Sequence, residues 1–186
     1  MRNPLHIRSF VLSTIAITLL SACAATTTVI TTPPGQAPVC QPDTDLRVAV
    51  RWGTNWRLDQ KDVVNREAAA SKGITDFFAS AKCFRSSSVS RSGASNGKSR
   101  VPEGSDLLLL LTVRELGPVV KLLSSAALVE GGTEAVVDVA LFRPRQDLPI
   151  RQFTIQWRDG GPGVLKGVRT LPQDMASALA AGLLPN

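Results

Sequence analysis

"DLLLLLTVREL", Asp106 to Leu116, carries five consecutive leucines, Leu107 to Leu111. A half-exposed strand alternates apolar and polar side chains, so an unbroken apolar run of this length predicts a strand covered on both faces. Such a strand needs neighbours along its edges and a packed layer on at least one side. The flanking sequence supplies them. "DLRVAVRW", Asp45 to Trp52, sets Leu46, Val48, Val50 and Trp52 against Arg47, Ala49 and Arg51, the period of a half-buried strand. "EAVVDVALF", Glu134 to Phe142, and "IRQFTIQW", Ile150 to Trp157, read as a hairpin closed by a proline-containing loop. "CFRSSSVSR", Cys83 to Arg91, is serine-rich and suits an edge.

Two segments have helical spacing instead. After a turn at Gly53-Thr54-Asn55, Asp59 is the expected N-cap of a helix running to about Ala81, with Ile74, Phe77, Phe78 and Ala81 as its apolar stripe. Gly73 lies inside it and predicts a kink or break. "TLPQDMASALAAGL", Thr170 to Leu183, is the second: Thr170 with Gln173 resembles a capping box, Pro172 sits in the first turn, and Met175, Ala178, Leu179 and Gly182 line one face. The order strand, helix, strands, helix predicts an α+β domain, a mostly antiparallel sheet of four to five strands with two helices packed on one face.

"GPVVKLLSSAALVEGG", Gly117 to Gly132, is left open by its pattern. Val119, Leu122, Leu123, Ala126 and Ala127 fit a helix, and an extended run fits almost as well. The stretch is nearly uncharged. Its Leu122, Leu123, Ala126 and Leu128 form a candidate interaction patch that either covers the core or docks a membrane partner or acyl chain.

At the N-terminus, Arg2, His6 and Arg8 precede an uncharged, mostly apolar run from Ser9 to Ala22. That is the build of a secretory signal peptide, too short to span a membrane, which takes roughly 20 apolar residues. The run ends at Leu20-Ser21-Ala22-Cys23, which resembles the lipobox of bacterial lipoproteins. The resemblance implies removal of residues 1–22 and acylation of Cys23, a palmitate-type anchor. Ala24, where an acidic residue would favour retention in the inner membrane, implies transport to the outer membrane, facing the periplasm. Residues 23–42 then read as the lipidated cysteine and a Thr/Pro-rich tether, "AATTTVITTPPGQAPVCQP" from Ala24 to Pro42, with an extended reach of at most roughly 60 Å. Residues 43–186 are expected to form one domain.

Cys40 and Cys83 remain after export, and two cysteines in an oxidising compartment pair most simply as one disulfide. Removing Arg2 and Arg8 from 21 basic residues leaves 19 against 15 acidic ones, a net charge of +4. No basic run with interleaved aromatics accompanies it, so nucleic acid is not expected as a partner.

Three motifs hint at chemistry. Gly93-Ala94-Ser95-Asn96-Gly97 fits the G-x-S-x-G of a hydrolase elbow, but the sole histidine is His6, in the signal peptide, and no burial is evident to turn Lys98 into a base for Ser95. Gly97-Lys98-Ser99 fits the end of a phosphate loop, yet Ser92 stands where the first glycine belongs. The cluster "DGGPGVLKG", Asp159 to Gly167, reads as a turn, with a candidate anion-binding loop of Gly160, Gly161, Gly163, Lys166 and Arg169 as its functional alternative. The mature chain has neither histidine nor tyrosine. The carboxylate pairs Asp59 with Asp62 and Glu130 with Glu134 read as a cap and a polar turn. No cofactor and no metal are expected.

These readings point to a non-catalytic outer-membrane lipoprotein, anchored by lipid and serving as an accessory or assembly factor for an envelope protein partner. The general build resembles accessory lipoproteins of envelope transport systems. The alternatives are a binding module for lipid or cell-wall fragments, or a carboxylate-dependent cell-wall hydrolase. The sequence is silent on oligomeric state.

Overall fold

The computed structural model describes residues 25–41, 45–92, 100–123, 128–162 and 164–185, with backbone alone over 120–123 and 128–130. The elements are β1 (Thr26–Thr32), β2 (Leu46–Thr54), α1 (Val63–Ser80), β3 (Phe84–Arg91), β4 (Leu107–Leu123), β5 (Leu128–Phe142), β6 (Arg151–Pro162), a 3-10 turn (Val168–Thr170) and α2 (Leu171–Leu183). They form a six-stranded sheet in the order β1-β6-β5-β4-β2-β3.

The leucine run sits near the middle of that order, between β5 and β2, as its composition requires. Leu107, Leu109 and Leu111 join the main core under the helices, and Leu108 joins a small cluster with Ala49 and Phe142 on the other face. Both helices pack into the one main cluster through Ala70, Ile74 and Phe77 of α1 and Met175, Ala178 and Leu179 of α2. The architecture is α+β. The sheet is mixed, not mostly antiparallel: β4 pairs antiparallel with β5, β5 with β6 and β6 with β1, while β2 pairs parallel with both β3 and β4. The parallel pairing follows from α1, which crosses over between β2 and β3 as parallel neighbours require.

Several expectations are corrected. The Thr-rich part of the expected tether is strand β1, paired along its length from Thr26↔Gly160 to Thr32↔Thr154. Seven β-branched residues in a row favour extended backbone, and β6 offers them an open edge. Past the prolines, Val39 and Cys40 are buried, and both backbone N–H groups donate to the Leu183 carbonyl at 2.9 and 3.1 Å. The expected boundary at residue 43 therefore moves back to Thr26.

Helix α1 starts at Val63, not after Asp59. Asp62 occupies the left-handed region at φ 58° and makes no side-chain cap; its carboxylate accepts from the Asn65 side-chain amide at 2.7 Å. Gly73 does not break the helix. A Cβ there would lie 2.7 Å from Met175 Cβ, so the glycine serves close approach of α1 to α2. The capping box is absent too: the Thr170 hydroxyl donates to Asp174 Oδ2 at 2.8 Å, with the Gly167 carbonyl a longer alternative acceptor at 3.1 Å.

Residues 117–132, open between helix and strand, are extended. Strands β4 and β5 remain paired through Val119↔Gly132 to Leu123↔Leu128. The last buried core residues on these strands before this stretch are Leu116 and Ala135. Seven further residues on each strand carry the ladder of this ribbon about 23 Å beyond them, and Gly117, Gly131, Gly132 and Thr133 on that stretch are also buried.

Candidate functional site

The sheet has two chemically distinct ends. At the ribbon end, glycines face one another across β5 and β6, Gly132 opposite Gly160 and Gly131 opposite Gly161. A Cβ on Gly132 would stand 2.6 Å from the Asp159 carbonyl oxygen and 2.9 Å from Gly160 Cα. Only glycine permits that backbone approach.

Beside the glycines, Lys166 Nζ bridges Asp159 and Asp174, reaching Asp174 Oδ1 at 2.8 Å. Thr27 Oγ1 donates to Asp159 Oδ1 at 2.7 Å, so β1 is tied into the same network. The Lys166 ammonium also lies 5.5 Å from the centre of the Trp157 ring. Burial opposes the charge on Lys166, but hydrogen bonds to Asp159 and Asp174 outweigh it and hold its pKa above the ordinary value. The hydrogen bond from Lys166, followed by that from Thr27, holds the Asp159 carboxyl below the usual range.

A second cluster braces the base of the ribbon. Arg66 NH1 donates to the Leu116 carbonyl at 2.5 Å and to Glu115 Oε1 at 3.2 Å, and its Nε donates to the Lys61 carbonyl at 2.8 Å. Arg57 closes on the other oxygen of Glu115 at 3.0 Å. The Arg66 guanidinium fills the space beside Gly117, which explains why no larger residue stands there.

At the opposite end, Cys40 and Cys83 form the expected disulfide, with Cα atoms 5.6 Å apart. It lies against a groove of about 670 Å³ between the C-terminal halves of the helices. Phe77, Ala81, Ala176, Ala180 and Leu184 make its apolar walls, and Asp76, Lys82 and Gln173 its polar rim.

The anion-binding arrangement offered by the sequence is not assembled. Gly160 and Gly161 belong to strand β6, with ladder partners on β5. The Lys166 charge is taken up by two carboxylates. Arg169 is exposed on the 3-10 turn, and Gly163 lies outside the described residues. Also outside them are Cys23, Ala126 and the loop with Ser95 and Lys98; for Leu122, Leu123 and Leu128 only the backbone is described. Among the described residues no cluster of three His, Cys, Asp or Glu side chains is placed to hold a metal. No described helix is long and apolar enough to cross a membrane.

No protein-family model and no curated protein matches the chain. Solved structures do. A PelC dodecamer from Paraburkholderia phytofirmans aligns over 87% of this chain and 100% of its own, at 9% identity and a TM-score of 0.44. A putative neuraminyllactose-binding hemagglutinin homolog from Helicobacter pylori aligns over 78% and 84%, at 15% identity and a TM-score of 0.39. A DUF330 protein from Xanthomonas campestris aligns over 87% and 89%, at 10% identity and a TM-score of 0.37.

Sequence reading missed the part of β1. The signal was present in "TTTVITT", Thr26 to Thr32, whose β-branched run was outweighed by the prolines that follow it. It missed the Lys166 network as well, because Asp159, Lys166 and Asp174 meet only once β6 has delivered the chain to α2.

Proposed function

We propose that this chain is a non-catalytic lipoprotein of the outer membrane, facing the periplasm, that acts as an accessory factor for an envelope protein partner while held close to the lipid. The observation that carries this reading is the position of β1. Thr26 is fixed in the sheet opposite Gly160, only three residues after the lipobox cysteine, Cys23. Three residues span at most about 11 Å, so an acyl anchor on Cys23 sets the domain against the bilayer instead of 60 Å above it. The buried cations support a structural role: Lys166 and Arg66 are each neutralised by carboxylates that brace the fold.

The test is metabolic labelling with a palmitate analogue, followed by membrane fractionation. Label on the wild type, its loss in Cys23→Ala, and accumulation of that variant as unprocessed precursor in the inner membrane are expected. Normal outer-membrane fractionation of Cys23→Ala would refute the anchor. Chemical cross-linking in intact cells then identifies the partner, and an adduct-free protein would count against the accessory role.

The groove between the helices favours a second reading, a binding module for lipid fragments. Its volume and apolar walls suit an acyl chain of a small ligand. Titration of the purified protein with lysophospholipid should raise its melting temperature, and Ala180→Trp, which fills the groove, should abolish that shift.

A further inference from the structure

We infer that β1 is the surface at which two copies of this chain pair, antiparallel, about a two-fold axis through Val29. The inference goes beyond the reading above, which leaves the number of subunits open, and it does not depend on the anchor. The sheet order leaves two edges, β1 and β3. An uncovered edge presents a row of unpaired N–H and C=O groups to any strand that meets it, and proteins blunt such edges with charges, prolines or bulges. β3 is blunted: it carries Arg85, paired with Asp45, and Arg91, paired with Glu67. β1 has none of these devices. Its seven residues, "TTTVITT", hold no charge and no proline, and its ladder to β6 runs without a register shift. All but Thr31 are exposed, Val29 to 39% and Ile30 to 52%.

The sequence of the strand selects its occupant. Outward from Val29 the neighbours are Thr28 and Ile30, then Thr27 and Thr31, then Thr26 and Thr32, so the strand reads nearly the same in either direction. Antiparallel pairing about Val29 sets Thr26 against Thr32 of the second copy, Thr27 against its Thr31, Thr28 against its Ile30, and Val29 against Val29. Threonine opposite threonine and β-branched side chains opposite one another are favourable cross-strand pairs, and no like charges meet. A two-fold contact requires a patch that complements itself, and this one does. A strand of another protein would gain the same backbone hydrogen bonds, but β1 has no charge with which to recognise its sequence.

The faces of the sheet agree with that axis. Val29 stands opposite Trp157, which is buried in the core under the helices, so Val29 lies on the helix face at its margin. Residues directly opposite each other in an antiparallel ladder share a face. Val29 of both copies then meets on the helix face, both helix layers lie on one side, and the two six-stranded sheets continue into each other. The pairing covers Val29 and Ile30 and removes the open edge from both copies at once.

The experiment uses the full chain in membranes of the cells that make it, with the Cys40–Cys83 bridge intact. Val29→Cys, oxidised with copper phenanthroline, is expected to run as a covalent dimer on a non-reducing gel. Thr26→Cys alone should stay monomeric. Position 26 of the two copies is separated by the distance from Thr26 to Thr32 along the ladder, about 20 Å, and a disulfide needs Cα atoms within about 7 Å. Adding Thr32→Cys to Thr26→Cys should restore the cross-link, since those positions pair. Purified in nonionic detergent, the wild type should sediment at the dimer mass. Val29→Lys and Val29→Glu should each shift to the monomer mass, because like charges face each other across the axis, and an equal mixture of the two should return to the dimer. Unchanged circular dichroism verifies the folding of each variant, and the cysteine series decides the matter if a charged variant fails to fold. A monomeric wild type, a dimer of Thr26→Cys alone equal to that of Val29→Cys, or a covalent adduct of Val29→Cys with another protein would each overturn the pairing.

Discussion

The two ends of the sheet are held by different forces. At the groove end, a disulfide joins Cys40 to Cys83, Val39 and Cys40 hydrogen-bond the end of α2, and the ion pairs Arg47–Asp106 and Arg85–Asp45 lie on the exposed surface. At the ribbon end the ion pairs are shielded. The side chains of Lys166, Asp159 and Asp174 are 16%, 19% and 7% exposed, and Arg66 and Glu115 13% and 16%. Exposed pairs contribute little to stability, whereas removing one member of a shielded pair strands its partner in a poor dielectric. The groove end alone should thus respond to reductant, whereas acid reaches both ends, since hydrogen bonds from Arg47 hold the pKa of the Asp106 carboxyl at about 2.

The largest effect expected from breaking this contrast is at the groove end. Replacing Cys40 and Cys83 together by serine removes a closure over 43 residues and should cost about 4 kcal/mol in urea unfolding. Wild-type protein in reductant should match it. An unchanged midpoint would mean that the hydrogen bonds to Leu183 suffice.

Next comes Lys166→Met. It leaves the buried Asp174 without its cation, and should cost about 3 kcal/mol. Asp159 titrates below its ordinary value of 3.8 in the folded protein, so its contribution is fully present above that pH and is lost as pH falls below it. Wild-type stability should drop on acidification below about pH 4, and the variant should drop less, having lost the cation already. Parallel curves would remove Lys166 as the cause.

Arg66→Met should cost less, about 1–2 kcal/mol, because Glu115 keeps Arg57 while the Leu116 carbonyl loses its donor. The smallest effect on stability should be that of Lys72→Ala, which breaks the exposed i,i+4 pair with Asp76 on α1 and should move the melting midpoint by no more than the equivalent of about 0.5 kcal/mol. A larger loss would give that surface pair a weight that exposed pairs rarely have.

The elements with a strong local signal were legible. The leucine run, the alternation at Leu46 to Trp52 and the stripe at Ile74, Phe77 and Phe78 each report their own burial, and the two exported cysteines reported their pairing. What escaped depends on chain segments that meet from afar. Thr26 to Thr32 becomes a strand only because β6 leaves an edge open. Gly131, Gly132, Gly160 and Gly161 look like turn punctuation, and their use in a close strand crossing is visible only when the two pairs face each other. Asp159, Lys166 and Asp174, spread over sixteen positions, gave no pattern that a spacing rule detects. For the same reason Lys166 was available to the sequence reading as a free cation, and is not one in the fold.

Strand β1 also determines how the molecule carries mechanical load. A tug from the Cys23 side enters at Thr26 and runs along the strand axis, so the ladder to β6 is sheared and its hydrogen bonds are stressed together instead of peeling one by one. Should all seven residues of β1 tear free, the pull meets Cys40, where the bridge to Cys83 is a covalent stop. The load then passes through the bridge to Cys83 and the start of β3, so that β2 and α1, which lie between the two cysteines in sequence, are bypassed.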